Sequence, residues 1–131
     1  MALVHLVLVL ALAEFFFFLN AVGSARRRFG VKAPATTGHE TFERIFRVQM
    51  NTLEQLVIFV PSLLLFAAYV NPAIAAALGA LFVIGRALYY RGYVRDPRQR
   101  ELGFMLSAIP NVALLLGALV GTLLVLARHY T

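Results

Sequence analysis

Glu43-Arg44-Ile45-Phe46-Arg47-Val48-Gln49-Met50-Asn51-Thr52-Leu53-Glu54-Gln55 runs directly into the apolar stretch Leu56-Val57-Ile58-Phe59-Val60. Read as one helix over Thr41–Tyr69, its first half is polar and its second half apolar. Glu43, Arg47, Asn51 and Glu54 fall at i, i+4, i+8 and i+11, which makes one continuous stripe at 3.6 residues per turn. The apolar part alone, Gln55–Tyr69, is about 15 residues, whereas crossing about 30 Å of hydrocarbon takes roughly 20. Membrane entry therefore falls near Arg47, and Asn51 and Glu54 lie inside. A charge facing lipid near a helix centre costs about 2.5–3.5 kcal/mol on insertion scales. The stripe is expected to face the bundle interior, a water-filled cavity or the interface. Glu43 and Arg44 also read as a solvated first turn, with Glu43–Arg47 as an i,i+4 pair.

The remainder of the chain supports a lipid environment. Its 131 residues suit one domain, 61% are hydrophobic and mean hydropathy is +0.81. Soluble domains run at about 45–50% apolar, and a short soluble chain could not bury the excess. Three more apolar spans are predicted, over 2–22, 73–93 and 102–127. The first contains His5, Glu14 and Asn20 and is too long in its apolar run for a cleaved signal peptide, so it is read as a retained helix. The third begins with Ala75, Ala76, Ala77, Gly79 and Ala80, small residues that let helices approach in lipid. Asn71-Pro72 and Asp96-Pro97 are breaks, Gly23–Gly38 is read as a basic loop, and Pro110 is tolerable inside a membrane helix. The expected architecture is an all-α, four-helix integral membrane bundle in a single domain, 1–131.

Net charge is +6. The basic residues sit in short blocks between apolar runs, the pattern of membrane topology and not of a nucleic-acid groove. Arg26, Arg27, Arg28 and Lys32 lie between helices one and two. Arg91, Arg95, Arg98 and Arg100 surround the connection between helices three and four. The positive-inside rule puts both basic loops in the cytoplasm and both termini outside, although Arg128 and His129 run slightly against it. There is no cysteine, so thiol chemistry would need a thiol supplied by a ligand. No Ser-His-Asp set, phosphate loop or metal cluster is present, and His5, His39 and His129 lie on separate segments.

On the third helix Arg86, Tyr89 or Tyr90, and Tyr93 recur at helical spacing near the basic end. An interfacial aromatic belt with a snorkelling arginine accounts for the same residues. Together with Gln49, Asn51 and Glu54 they form an inventory for a zwitterionic ligand. Arginine clamps a carboxylate, glutamate accepts from an ammonium, and amides and phenols bond peptide groups.

The run from Glu43 to Glu54 resembles the helix-two signature of the MAPEG family, the membrane-associated proteins in eicosanoid and glutathione metabolism. Gly85-Arg86-Ala87-Leu88-Tyr89-Tyr90-Arg91-Gly92-Tyr93 resembles that family's helix-three signature, and Ser24–Phe29 and Thr36-Thr37-Gly38 are similar too. The resemblance implies a homotrimer that binds glutathione as co-substrate between subunits near the cytoplasmic face. It places Arg47, Asn51, Glu54, Tyr89 and Tyr93 on glutathione, with Arg26 and Gln49 supplied by the neighbouring subunit. Arg100 matches an arginine that stabilises the glutathione thiolate, and Arg27 one near the acceptor. The acceptor would be an apolar electrophile or a lipid hydroperoxide. Gln55 stands where the leukotriene-forming branch has a ligand-contacting aromatic, which points to a different branch and acceptor.

Two other functions fit parts of the chain. A family member that only binds lipid would not need the glutathione set. A small multidrug transporter would use an acidic residue such as Glu14 in its first helix, but has no use for the Arg47–Glu54 stripe. Glu14 otherwise reads as a neutral carboxyl, or as a partner for Asn20 or Asn111.

Overall fold

The computed structural model describes all residues 1–131 and consists of four long helices: α1 (Ala2–Phe29), α2 (Glu40–Tyr69), α3 (Pro72–Arg95) and α4 (Glu101–Tyr130). A short 3-10 helix, Pro97–Arg100, joins the last two. All four are long and apolar enough to cross a membrane. α1 and α4 flank a central α2–α3 pair, and α4 packs along both members of it.

Local chemistry sets the ends. The sequence predicts a loop from Gly23, but α1 continues to Phe29. One glycine does not stop a helix, and Arg26, Arg27 and Arg28 sit favourably at the negative end of its dipole. Gly30 ends it at φ 69°, the left-handed region that glycine adopts freely, and Val31 N–H closes on the Arg26 carbonyl at 3.0 Å. His39 Nδ1 caps α2 by accepting from Thr41 N–H, Asn71 Oδ1 caps α3 by accepting from Ile74 N–H, and Asp96 Oδ1 accepts from Arg98 N–H. Arg44 ion-pairs with Glu40 and donates to the Val94 and Arg95 carbonyls, which ties the start of α2 to the end of α3.

The core runs down the bundle through Val4, Val7, Leu56, Phe59, Leu63, Phe66, Phe82 and Leu114. Phe59 and Phe82 stack at 3.9 Å between ring centroids. The outside is covered in exposed Leu, Val, Ile and Phe, the surface expected where lipid is the solvent. α3 and α4 approach backbone to backbone. A Cβ on Gly103 would lie 2.2 Å from the Tyr89 nitrogen, and one on Gly85 would lie 2.6 Å from the Leu106 carbonyl carbon. Larger residues there would push α4 away from the tyrosines of α3.

Candidate functional site

At the basic end, α2, α3 and α4 enclose a cavity of about 400 Å³ lined by Arg47, Asn51, Tyr89, Tyr93, Arg100, Glu101 and Phe104. Each reaches it for a local reason. Arg47 and Asn51 are one turn apart on α2, and Tyr89 and Tyr93 one turn apart on α3. Asp96-Pro97 ends α3, and the short 3-10 turn then swings Arg100 back over the tyrosines. The Tyr89 and Tyr93 rings stack at 5.4 Å, and the Arg100 guanidinium lies 6.0 Å from the Tyr93 ring. Arg100 Nη1 donates to the Pro97 carbonyl at 3.3 Å, and neither phenol hydroxyl has a hydrogen-bond partner within the chain.

Of the α2 stripe, Asn51 reaches inward to a buried side chain, whereas Arg47 and Glu54 stay on the flank. Arg47 Nη1 reaches Glu54 Oε1 at 3.3 Å, with both side chains about half exposed (52% and 56%) on the flank of the single chain. The interior position is taken by Arg86, which is 0% exposed. Its Nη1 donates to Asn51 Oδ1 at 2.7 Å and Thr52 Oγ1 at 3.2 Å, and its Nη2 donates to Ser107 Oγ at 2.7 Å. The guanidinium also lies 4.3 Å from the Tyr89 ring centroid. Arg86 thus sits behind two walls of the cavity, and neutral acceptors from α2 and α4 satisfy most of its donors. No carboxylate, Glu14 of α1 included, makes a contact ion pair with it. Neither asparagine serves Glu14: Asn20 donates to the Phe16 carbonyl, and Asn111 donates to the Gln55 carbonyl and side-chain oxygens.

Other expected site residues lie elsewhere. Gln49 is buried away from the cavity, Arg26 donates to the Ala35 carbonyl at 2.7 Å, and Arg27 is exposed. Glu101 and Phe104 line the cavity without having been expected. The signal for Phe104 was available in its spacing four residues after Arg100, where the 3-10 turn passes into α4. Thr52 and Ser107, the buried partners of Arg86, look like ordinary helix residues in the sequence.

The cavity gathers two guanidinium groups, a carboxylate, an amide and two phenols, a donor and acceptor set for a ligand that carries carboxylates and peptide groups. A guanidinium beside a thiol would favour its thiolate. An uncharacterized Synechocystis protein is 48% identical over 118 residues, covering 88% of this chain and 86% of that one. Human microsomal glutathione S-transferase 2 is 39% identical, over 85% of this chain and 76% of the human protein. Mouse leukotriene C4 synthase is 33% identical, over 88% of this chain and 82% of its own length. The MAPEG family model matches residues 4–120. With four membrane-spanning helices and this match across nearly its whole length, the chain is a multi-pass integral membrane protein and belongs to the MAPEG family.

Proposed function

We infer that this chain is a membrane-embedded glutathione transferase. The observation that carries the reading is the convergence of Arg47, Asn51, Tyr89, Tyr93 and Arg100, from three helices, on one cavity at the basic end. Relatives named as a glutathione S-transferase and as leukotriene C4 synthase support it. Arg47 takes a glutathione carboxylate, Glu54 the ammonium, and Asn51, Tyr89 and Tyr93 the peptide groups and the sulfur end. Arg100 stabilises the thiolate. The thiol proton leaves to solvent, the sulfur forms a bond to an electrophilic carbon, and the group displaced or opened at that carbon takes up a proton. The acceptor arrives through lipid, so partitioning selects apolar molecules.

The working form is a homotrimer with its sites between subunits near the cytoplasmic face. The half-exposed Arg47–Glu54 pair supports this, because a neighbouring copy would cover it. So does the position of Arg27, exposed and outside the cavity of its own chain, where it is free to serve the next one. Reduction of lipid hydroperoxides starts from the same thiolate and is the companion activity.

The test is calorimetric titration of the purified protein with glutathione, followed by turnover with a panel of apolar electrophiles and hydroperoxides. Micromolar to millimolar binding with turnover of at least one acceptor is expected. Absence of glutathione binding overturns the reading in favour of a non-catalytic lipid-binding member. Binding without any turnover overturns the assignment as an enzyme.

A further inference from the structure

A second cavity, of about 470 Å³, opens on the opposite flank of the bundle between α1, α2 and α3 and shares no residue with the site above. Asn20, Ser24 and Arg28 line it from α1, Thr41 from α2 and Tyr90 from α3, with Phe17 at its deep end. Asn20, Ser24 and Arg28 stand at i, i+4 and i+8, a polar stripe on an otherwise apolar helix. Nothing in the glutathione reading uses this stripe.

We propose that this groove holds one anionic phospholipid of the leaflet on the basic side. Its chemistry is graded with depth. Arg28 lies at the end of α1, roughly 12 Å along the helix from Asn20 at 1.5 Å per residue, which spans the polar layer of one bilayer face. Arg28 makes no ion pair or hydrogen bond and only overlies the Phe29 ring at 5.2 Å. The Ser24 and Tyr90 hydroxyls have no partner either, and Asn20 uses only its Nδ2, on the Phe16 carbonyl. No carboxylate lines the groove, so the field inside it is positive. A lipid phosphate meets Arg28, its ester oxygens meet Ser24 and Tyr90, and an acyl chain runs down past Phe17. Phe17 packs edge-on against Tyr90 at 5.8 Å, and Tyr90 stacks on Phe18 at 5.1 Å, which gives the groove a fixed aromatic floor. A second copy fits less well, because the polar flank at Arg47 and Glu54 belongs to the proposed glutathione site between subunits, and the apolar flanks that remain would leave the stripe unsatisfied.

The chain contains no tryptophan, so Phe17→Trp at a 57% exposed position gives a single reporter. The variant is reconstituted in phosphatidylcholine vesicles carrying either brominated phosphatidylglycerol or brominated phosphatidylcholine. Phosphatidylglycerol should quench at about fivefold lower mole fraction, the worth of one arginine at an anionic surface. Arg28→Gln should abolish that preference, and Arg95→Gln, an exposed cation at the same end outside the groove, should leave it. Native mass spectrometry of the unsubstituted protein should show one retained phosphatidylglycerol per chain, lost in Arg28→Gln. Equal quenching by the two lipids overturns the proposal. So does an Arg95→Gln effect as large as that of Arg28→Gln, which means general attraction to the basic end. Quenching by neither lipid also overturns it, since the groove is then covered by another copy.

Discussion

Arg86 of α3 and Asn51 of α2 meet at 2.7 Å, Nη1 to Oδ1, and the same guanidinium spans to Ser107 of α4. A buried cation therefore fixes which way the Asn51 amide points. With Oδ1 held from behind, Nδ2 is the group left to face the cavity. Arg86 is a positioning residue, because it does not line the cavity itself.

Arg86→Lys keeps the charge but not the planar fork that reaches three acceptors. The expected outcome is a folded protein whose glutathione affinity falls about tenfold, the cost of roughly one charge-assisted hydrogen bond. Adding Asn51→Ala should then cost little more, because the two residues act as a unit. Calorimetric titration of both single variants and the double variant checks this. Additive losses would leave Arg86 as a purely structural residue.

Helix number, the Asn71-Pro72 and Asp96-Pro97 breaks and the membrane setting were legible because each rests on local chemistry: hydropathy, length and proline. The pairing of Arg47 with Asn51, and of Tyr89 with Tyr93, was legible because one-turn spacing puts residues on one face. What faces the interior was not. Helical spacing groups residues into a stripe but does not say which stripe looks inward, and the one buried arginine proved to be Arg86 while Arg47 and Glu54 stayed on the flank. Its partners, Thr52 and Ser107, carry no signal until three helices are brought together. The basic loop after Gly23 was misread because arginines suit a helix C-terminus as well as a loop.

The Arg47–Glu54 pair discriminates between a solvated flank and a subunit interface. In water, breaking a surface pair costs about 0–1 kcal/mol. Covered by a neighbouring subunit and holding a charged ligand, each partner is worth about 2–5 kcal/mol. Arg47→Ala and Glu54→Ala should each weaken glutathione binding by the larger amount. Affinity unchanged in both variants would remove the α2 stripe from the site.

Orientation follows from charge alone. Arg26, Arg27, Arg28 and Lys32, with Arg91, Arg95, Arg98 and Arg100, gather at one end of the bundle, whereas the α2–α3 turn is uncharged. A reporter fused after Thr131 should therefore lie outside the cytoplasm. A cytoplasmic reporter would reverse the orientation and place the cavity on the other side of the membrane.

Arg100 should control the thiolate population more than ligand affinity. It lies over the Tyr93 ring at the cavity mouth, anchored only by a 3.3 Å bond to the Pro97 carbonyl, so its remaining donors are free for a ligand. A free thiol with a pKa near 8.5 is mostly protonated at pH 7. A guanidinium beside it favours the anion and lowers that value, each unit being worth about 1.4 kcal/mol. Removing the guanidinium therefore raises the bound thiol's pKa, and the acid limb of the activity profile moves to higher pH. Arg100→Ala should lose roughly tenfold or more in turnover near neutrality, recover part of it in alkaline buffer, and still bind glutathione. Arg100→Lys should keep part of the effect, because the charge remains. The competing role is an anchor to lipid phosphates, for which an arginine at this depth is also suited. Ultraviolet titration of the bound thiolate separates the two. A higher thiolate pKa in Arg100→Ala than in the unsubstituted protein assigns the charge effect to Arg100. Equal values would make it an anchor and turn attention to Arg26 and Arg27 of a neighbouring subunit.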